Sequence, residues 1–327
     1  MATDATPYAG LTPDYVLDAL ESVGIVGDGR LLSLNSYENR VYQCWRDDAP
    51  PVVAKFYRPG RWSDEAIVEE HTFTLELADE EIPAVPPLAP QGATLHRFGD
   101  FRFAVYAVRG GRAPSLDRRD TLLQLGRCLG RLHVVGAIAP FRHRVRLSVE
   151  QFGDASRDFL LHEGFLPVDL VEVYHGVADH ALARVRAAFG RAGELRLLRL
   201  HGDCHVGNIL WTDAGPHFVD FDDAMSGPAV QDLWMLLSGE RAEMEAQLAI
   251  VLEGYETFRA FDRRELHLVE ALRTLRLIHY AAWIARRWHD PAFPAAFPWF
   301  NTQRYWQDRI LELREQIALL DEPPLAA

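Results

Sequence analysis

Polar and apolar positions change rhythm about a third of the way along the chain. Residues 12–23 form an amphipathic segment, with Thr12-Pro13 as cap and first turn and Gly24 as a stop. Short apolar or alternating runs follow at 31–34, 40–45 and 51–57, separated by polar turns, and predict strands. Ser63-Asp64 opens a helix with Ile67, Glu70, Phe73 and Leu77 on one stripe, and 93–96 and 101–106 predict two strands about Phe98-Gly99-Asp100. Arg109-Gly110-Gly111-Arg112-Ala113-Pro114 reads as a linker. Beyond it the spacing is helical. Leu122, Leu125, Leu129 and Leu132 mark one stripe, with Gly126 and Gly130 leaving room for a close neighbour. Leu182, Val185 and Phe189 mark another, and 241–260, 263–288 and 303–320 carry the same period. The pattern predicts an α+β chain: a small β-rich lobe over 1–108 and a larger, mostly helical lobe over 109–327.

Composition narrows the function. A chain of 327 residues suits about two domains. Its formal charge of −13 argues against nucleic acid held by phosphate neutralisation, yet leaves room for a nucleotide, whose phosphates a metal and backbone N–H groups can neutralise locally. The start lacks the basic and apolar blocks of a signal peptide. The apolar stretch 266–288 is broken by Arg273, Arg276, Arg286 and Arg287, so no membrane span is expected. Cys44, Cys128 and Cys204 lie far apart without metal-ligand pairing. A cytoplasmic protein with reduced thiols is the expectation.

Lys55 is the only lysine; the other 33 of the 34 basic residues are arginine. Its retention points to a place that needs a compact ammonium. The second informative stretch is His201-Gly202-Asp203-Cys204-His205-Val206-Gly207-Asn208, followed by Asp220-Phe221-Asp222-Asp223. Residues 209–211 and 217–220 predict a hairpin turning at Asp213-Ala214-Gly215. Asn208 and Asp220 are equidistant from residue 214, which predicts that they face each other. An amide oxygen and a carboxylate converging there suit Mg²⁺, which takes few protein oxygens and leaves the rest to phosphate and water. That arrangement serves phosphoryl transfer from ATP, where the protein orients the nucleophile and neutralises charge. Asp203 would accept the acceptor proton, Asn208 and Asp220 would hold the metal, and Lys55 would contact phosphate. Glu70 would fix Lys55 through a partly solvated ion pair worth about 0–1 kcal/mol, with Glu69 as a competitor.

The run His-Gly-Asp-x-His-x-x-Asn with a downstream Asp resembles the aminoglycoside phosphotransferase and choline kinase superfamily of protein-kinase-like folds. Longer segments are similar to the bacterial stress-response kinase A family. They include Ser36-Tyr37-Glu38-Asn39-Arg40-Val41-Tyr42-Gln43, Ala54-Lys55-Phe56-Tyr57-Arg58-Pro59-Gly60-Arg61-Trp62 and Gly227-Pro228-Ala229-Val230-Gln231-Asp232-Leu233-Trp234. The resemblance spans nearly the whole chain. It implies a bilobal fold and a cytoplasmic Ser/Thr protein kinase acting on ATP and a protein hydroxyl; a monomer is the expectation. It also implies catalytic roles for Asp203 and Asp220 and metal ligation by Asn208 and Asp220; nucleotide contacts are expected from Ser36, Lys55, Glu70 and Tyr106. Two departures from ordinary protein kinases stand out. No G-x-G-x-x-G precedes Lys55, so the turn Ser36 to Asn39 would cover the phosphates. Phe-Asp-Asp, with no long activation segment, follows Asp220.

Competing readings attach to several residues. His201 and His205 are expected to brace the loop, and Cys204 to pack. Asp232 either caps a helix or, as the resemblance implies, pins the catalytic loop; Asp222 and Asp223 either add a metal contact or cap a turn. The aromatics Phe293, Phe297, Trp299, Phe300, Tyr305 and Trp306 are core or the wall of an acceptor groove. A small-molecule hydroxyl kinase is the alternative function, and a nucleotide-binding scaffold without activity the third.

Overall fold

The computed structural model describes residues 6–326, which gather into two compact units. Along the chain run α1 (Pro13–Glu21), β1 (Leu31–Leu34), β2 (Arg40–Cys44), β3 (Val52–Phe56), α2 (Asp64–Asp79), β4 (His96–Phe98) and β5 (Phe101–Ala107). After these come α3 (Arg119–Gly136), α4 (Ala155–His162), α5 (Val171–Ala192), β6 (Leu198–Leu200), β7 (Ile209–Thr212), β8 (Gly215–Phe218), β9 (Met225–Gly227), α6 (Val230–Trp234) and α7 (Arg241–Tyr255). The last elements are α8 (Val269–Ala285), α9 (Ala292–Ala296) and α10 (Gln303–Leu320).

The first unit takes the chain up to Ser115, with Phe141–Arg144 and His205–Ala224. Its antiparallel sheet has the order β1-β2-β3-β5-β4. Thr12 caps α1 through its side chain, as the Thr-Pro signal predicts. Alternation sorts β3: Val52, Ala54 and Phe56 join the core that Val16 and Leu20 of α1 help to form. Lys55 therefore points to the other face, where Tyr57, Ile67 and Ala104 cluster. Ser63 caps α2, which buries Ile67, Glu70, Phe73 and Leu77, the stripe read from the sequence.

Two expectations are corrected here. Residues 93–95 are not strand, because Pro90–Gly92 form a tight turn closed by the Ala93 N–H on the Pro90 carbonyl; β4 starts only at His96. The hairpin β7–β8 pairs Ile209 with Phe218 and Thr212 with Gly215, so its turn holds two residues, Asp213 and Ala214. The Thr212 hydroxyl fixes that turn by accepting from the Ala214 N–H and donating to the Gly215 carbonyl. Asn208 consequently faces Val219, whose N–H it accepts at 3.0 Å, and Asp220 lies one residue beyond. A one-residue slip reverses the face a side chain takes.

The hairpin, which the sequence pattern grouped with residues 109–327, is fastened to the first unit on both edges. Phe218 exchanges backbone bonds with Pro83 and Val85, and Trp211 exchanges two with Arg112. Gly111 is needed there: at φ 152° it lies against Leu210, where a Cβ would collide. The proposed linker thus carries an anchoring bridge at Arg112.

The second unit is built on helices. Leu122, Leu125, Leu129 and Leu132 of α3 are buried. Gly126 and Gly130 lie against the backbone of α7 at Val251 and Tyr255, the close neighbour that the glycine spacing predicts. β6 pairs with β9, and α8 packs with α4, α5 and α10. Among the described residues no helix is long and apolar enough to cross a membrane.

Candidate active site

In the first unit the site grows from Lys55, only 6% exposed on the inner face of β3. Its Nζ lies 2.9 Å from Asp220 Oδ1 and 3.2 Å from Asp222 Oδ1. Burial works against the ammonium, but Asp220 and Asp222 outweigh it and hold the Lys55 pKa well above the usual lysine range. Asp220 follows the last hairpin pair in a left-handed conformation (φ 59°, ψ 62°) and keeps its side chain 53% exposed. Asp and Asn tolerate that backbone better than other non-glycine residues.

The two glutamates of α2 separate. Glu69 accepts the backbone N–H groups of Arg142, His143 and Arg144 at 2.6, 2.8 and 3.0 Å. Glu70 is 2% exposed, and its Oε2 makes no hydrogen bond. Burial raises its carboxyl to about 7, against the opposing pull of Lys55 and Arg144. The expected partly solvated Lys55–Glu70 pair is therefore replaced by a buried group of charges, with Asp220 and Asp222 as the ion-pair partners of Lys55.

A raised carboxyl pKa means that folding holds the proton more tightly than the unfolded chain does. Stability due to Glu70 is then full below its ordinary value of 4.5 and is lost as pH rises to about 7. His71 beside it is pushed down to about 3, first by burial, which opposes this trend in the wild-type melting curve. A comparison isolates Glu70: Glu70→Gln should gain melting temperature relative to wild type as pH climbs from about 5 to 7, then run parallel. A constant difference across that window would contradict the assignment.

Asp222 is the centre that sequence reasoning left open. Buried at 3% exposure, it is held low: burial raises its pKa, and Arg61, Lys55 and Arg144 overcome that. Arg61 bridges Asp222 and Asp223, and lies 3.9 Å from Glu38. Arg58 sits 3.7 Å from Glu38 and gives its backbone N–H to Asn39 Oδ1 at 3.1 Å. Arg144 binds the carbonyls of Asp222 and Ala224 and stacks on Trp62, 4.0 Å from the ring centre. The turn Ser36 to Asn39 is thereby tied to the segment after Asp220 without a glycine-rich loop. Ser36 itself is half-buried. Tyr106 joins a different chain of contacts, its hydroxyl 3.1 Å from that of Tyr57, which in turn meets His71 Nε2 at 2.7 Å. The one signal for Arg58 and Arg61 was their place in Arg-Pro-Gly-Arg-Trp.

In the second unit the loop after β6 is pinned by Asp232. Its carboxylate accepts the N–H of His201 at 2.9 Å and of Gly202 at 2.8 Å, and meets His133 Nε2 at 3.1 Å. Gln231 donates to the Gly202 carbonyl at 2.8 Å. Asp232 thus holds the loop backbone, as the resemblance implies. His201 Nδ1 accepts from the Asp203 N–H at 3.3 Å, so His201 braces the loop as expected. Cys204 is fully buried, and burial raises its thiol pKa well above the ordinary range, which removes it as a nucleophile. In the first unit's share of this loop His205 Nδ1 accepts from the Gly207 N–H at 2.9 Å. Asp203 meets a residue that the sequence did not flag: Arg276 Nη1, on α8, is 2.5 Å from its Oδ1. Of the late aromatics, Phe293, Phe297, Phe300, Tyr305 and Trp306 are buried, while Trp299 is exposed and lines a cavity of about 470 Å³ with Tyr280 and Tyr305.

Residues 30–269 match the family described as the phosphotransferase enzyme family. Stress response kinase A of Escherichia coli K12 is 45% identical over 325 residues, 99% of this chain and 98% of the relative. The chain belongs to the phosphotransferase enzyme family, in its stress response kinase A branch. A Salmonella typhimurium relative named Serine/threonine protein kinase RdoA is 44% identical over the same shares. Among solved structures, an amicoumacin kinase in complex with AMP-PNP, Ca²⁺ and Ami aligns with a TM-score of 0.68 at 18% identity, covering 91% of this chain and 90% of that one. The fold is therefore aminoglycoside phosphotransferase-like. This phosphotransferase uses ATP and a hydroxyl acceptor.

Proposed function

We propose that the chain is a Mg²⁺-dependent serine/threonine protein kinase. The observation that carries the reading is the ion pair between the lone lysine and Asp220, 2.9 Å apart, because it puts a phosphate-binding ammonium beside a half-exposed, hard oxygen donor. Asn208 and Asp220 would hold the metal, and their oxygen donors fit Mg²⁺. When bound, that ion would offset the negative charge that develops during phosphoryl transfer. Lys55 then takes a phosphate oxygen as a point charge, with Glu70 as its electrostatic neighbour. Ser36 and its turn, braced by Glu38 and Asn39, cover the phosphates, and Tyr106 contributes to the nucleotide side. Asp203 orients the acceptor hydroxyl and takes its proton. The protein acceptor is supported by the name of the Salmonella relative, and the stress-response role by the names of the others.

The test is transfer of γ-labelled phosphate from ATP with Mg²⁺ to dephosphorylated casein. Label on casein serine or threonine is expected. Transfer only to small hydroxyl compounds would overturn the protein acceptor in favour of a metabolite or antibiotic kinase. Restoration by every divalent ion except Mg²⁺ would overturn the metal.

A further inference from the structure

The catalytic loop from His201 to Asn208 contains no lysine or arginine, and Lys55 is engaged with Asp220 and Asp222 in the first unit. A cation nevertheless reaches Asp203, and it comes from 73 residues downstream. Arg276 lies in the middle of α8, whose Leu272, Leu275 and Ile278 are buried, so its Cα is carried on a packed helix rather than a loop. The neighbouring arginines are engaged elsewhere: Arg273 with Glu270, Arg286 with the Ala155 carbonyl, and Arg287 with the Trp283 carbonyl. Arg276 reaches the loop instead.

The energetics argue that this pair is not there for the fold. Arg276 is 44% exposed and Asp203 22%, and an ion pair so open to water contributes about 0–1 kcal/mol. Its geometry still matters, since a charge-assisted bond to Oδ1 ties the Asp203 carboxylate to a side chain carried on a packed helix. Where a reaction depends chiefly on orientation, a misplacement of about 1 Å can cost on the order of a hundredfold in rate.

We infer that Arg276 is the positioning residue of the acceptor side: it holds the Asp203 carboxylate by Oδ1 and so sets how that carboxylate meets the acceptor hydroxyl. The inference rests on the reading of Asp203 as the base. In the step it serves, the acceptor oxygen forms its bond to the γ-phosphorus while the bond from that phosphorus to the β–γ bridging oxygen breaks. The electron pair leaves on ADP, and the hydroxyl proton passes to Asp203. Arg276 itself makes and breaks no bond.

The experiment measures ADP release from Mg-ATP by the full chain, with casein as acceptor and with water alone, for wild type, R276A, R276K, D203N and the D203N/R276A pair. R276A should lose about tenfold or more in kcat with KM for ATP and melting temperature unchanged. R276K should recover part of the loss, and millimolar guanidinium should rescue R276A but not D203N. The double variant should be no slower than D203N, because Arg276 acts through Asp203. R276A within twofold of wild type, additive losses in the double variant, or absent guanidinium rescue would each overturn the inference. Full activity of D203N would instead overturn the reading of the base, so the two failures are distinguishable.

Discussion

Asp220→Ala is expected to abolish metal-dependent nucleotide binding while leaving most of the fold intact. Three consequences of the side chain's position combine. Removing the carboxylate takes away the charged oxygen donor of the proposed Mg²⁺ site, and the amide of Asn208 supplies a much weaker field. Lys55 loses its 2.9 Å partner but retains Asp222 at 3.2 Å, so the ammonium stays paired and in place. The left-handed backbone at Asp220 suits alanine less well, a cost of about 1–2 kcal/mol for that residue. Asp220→Asn separates these effects, because asparagine accepts the same backbone and nearly the same volume but carries no charge. Calorimetric titration of Mg-ATP should show no binding to Asp220→Ala and strongly weakened binding to Asp220→Asn. Melting temperature should fall modestly in the first and hardly at all in the second. Wild-type affinity in Asp220→Ala would sink the metal assignment.

The parts of this fold that were legible in the sequence are those set by local periodicity. The α2 stripe, the α3 leucines with their two glycines, and α10 follow from spacing, because each helix buries one amphipathic face. Register was not legible to one residue. Counting outward from Ala214 placed Asp220 opposite Asn208, but the Thr212 side chain closes a two-residue turn and moves the ladder to Val219. Residues 93–95 failed for a similar reason, since alternation cannot reveal that a preceding Pro-Gln-Gly turn consumes the strand's first residues.

The site divides along the same line. Lys55, Asp203 and Asp220, the proposed phosphate, acceptor and metal residues, stand out by composition and motif. Their supporting charges do not. Asp222 looks like one acid in an Asp-Asp pair until it is seen buried against Arg61 and Lys55, and Arg276 looks like one arginine among several that interrupt an apolar helix. Those roles come from contacts 161 and 73 residues apart in sequence, which no spacing rule encodes. Glu69 and Glu70 show the same limit at a single residue: adjacent, identical in type, and assigned opposite duties by a rotation of about 100° around α2.

Lys55→Arg should be nearly as damaging to phosphoryl transfer as Lys55→Ala, although it keeps the charge. The lysine is almost wholly enclosed on the β3 face near Tyr57, whose ring centre is 5.4 Å from Nζ. An ammonium can meet Asp220 and Asp222 from one point at 2.9 and 3.2 Å. A guanidinium is longer and planar, presents a fork, and has to push into that enclosure or leave it. The reading from sequence alone, a pair half in water, predicted almost no change in stability. Burial changes that prediction. Removing one partner from buried charges typically costs about 3–5 kcal/mol, and Lys55→Ala should fall near the lower end because Arg61 and Arg144 continue to neutralise Asp222. Lys55→Arg should lose less stability than Lys55→Ala but a similar share of activity, roughly a hundredfold, where catalysis depends on positioning. Initial phosphorylation rates and melting temperatures, measured side by side for both variants, decide the matter. Full activity in Lys55→Arg would mean that any cation at β3 serves, and that the single lysine of this arginine-rich chain is there by accident of composition.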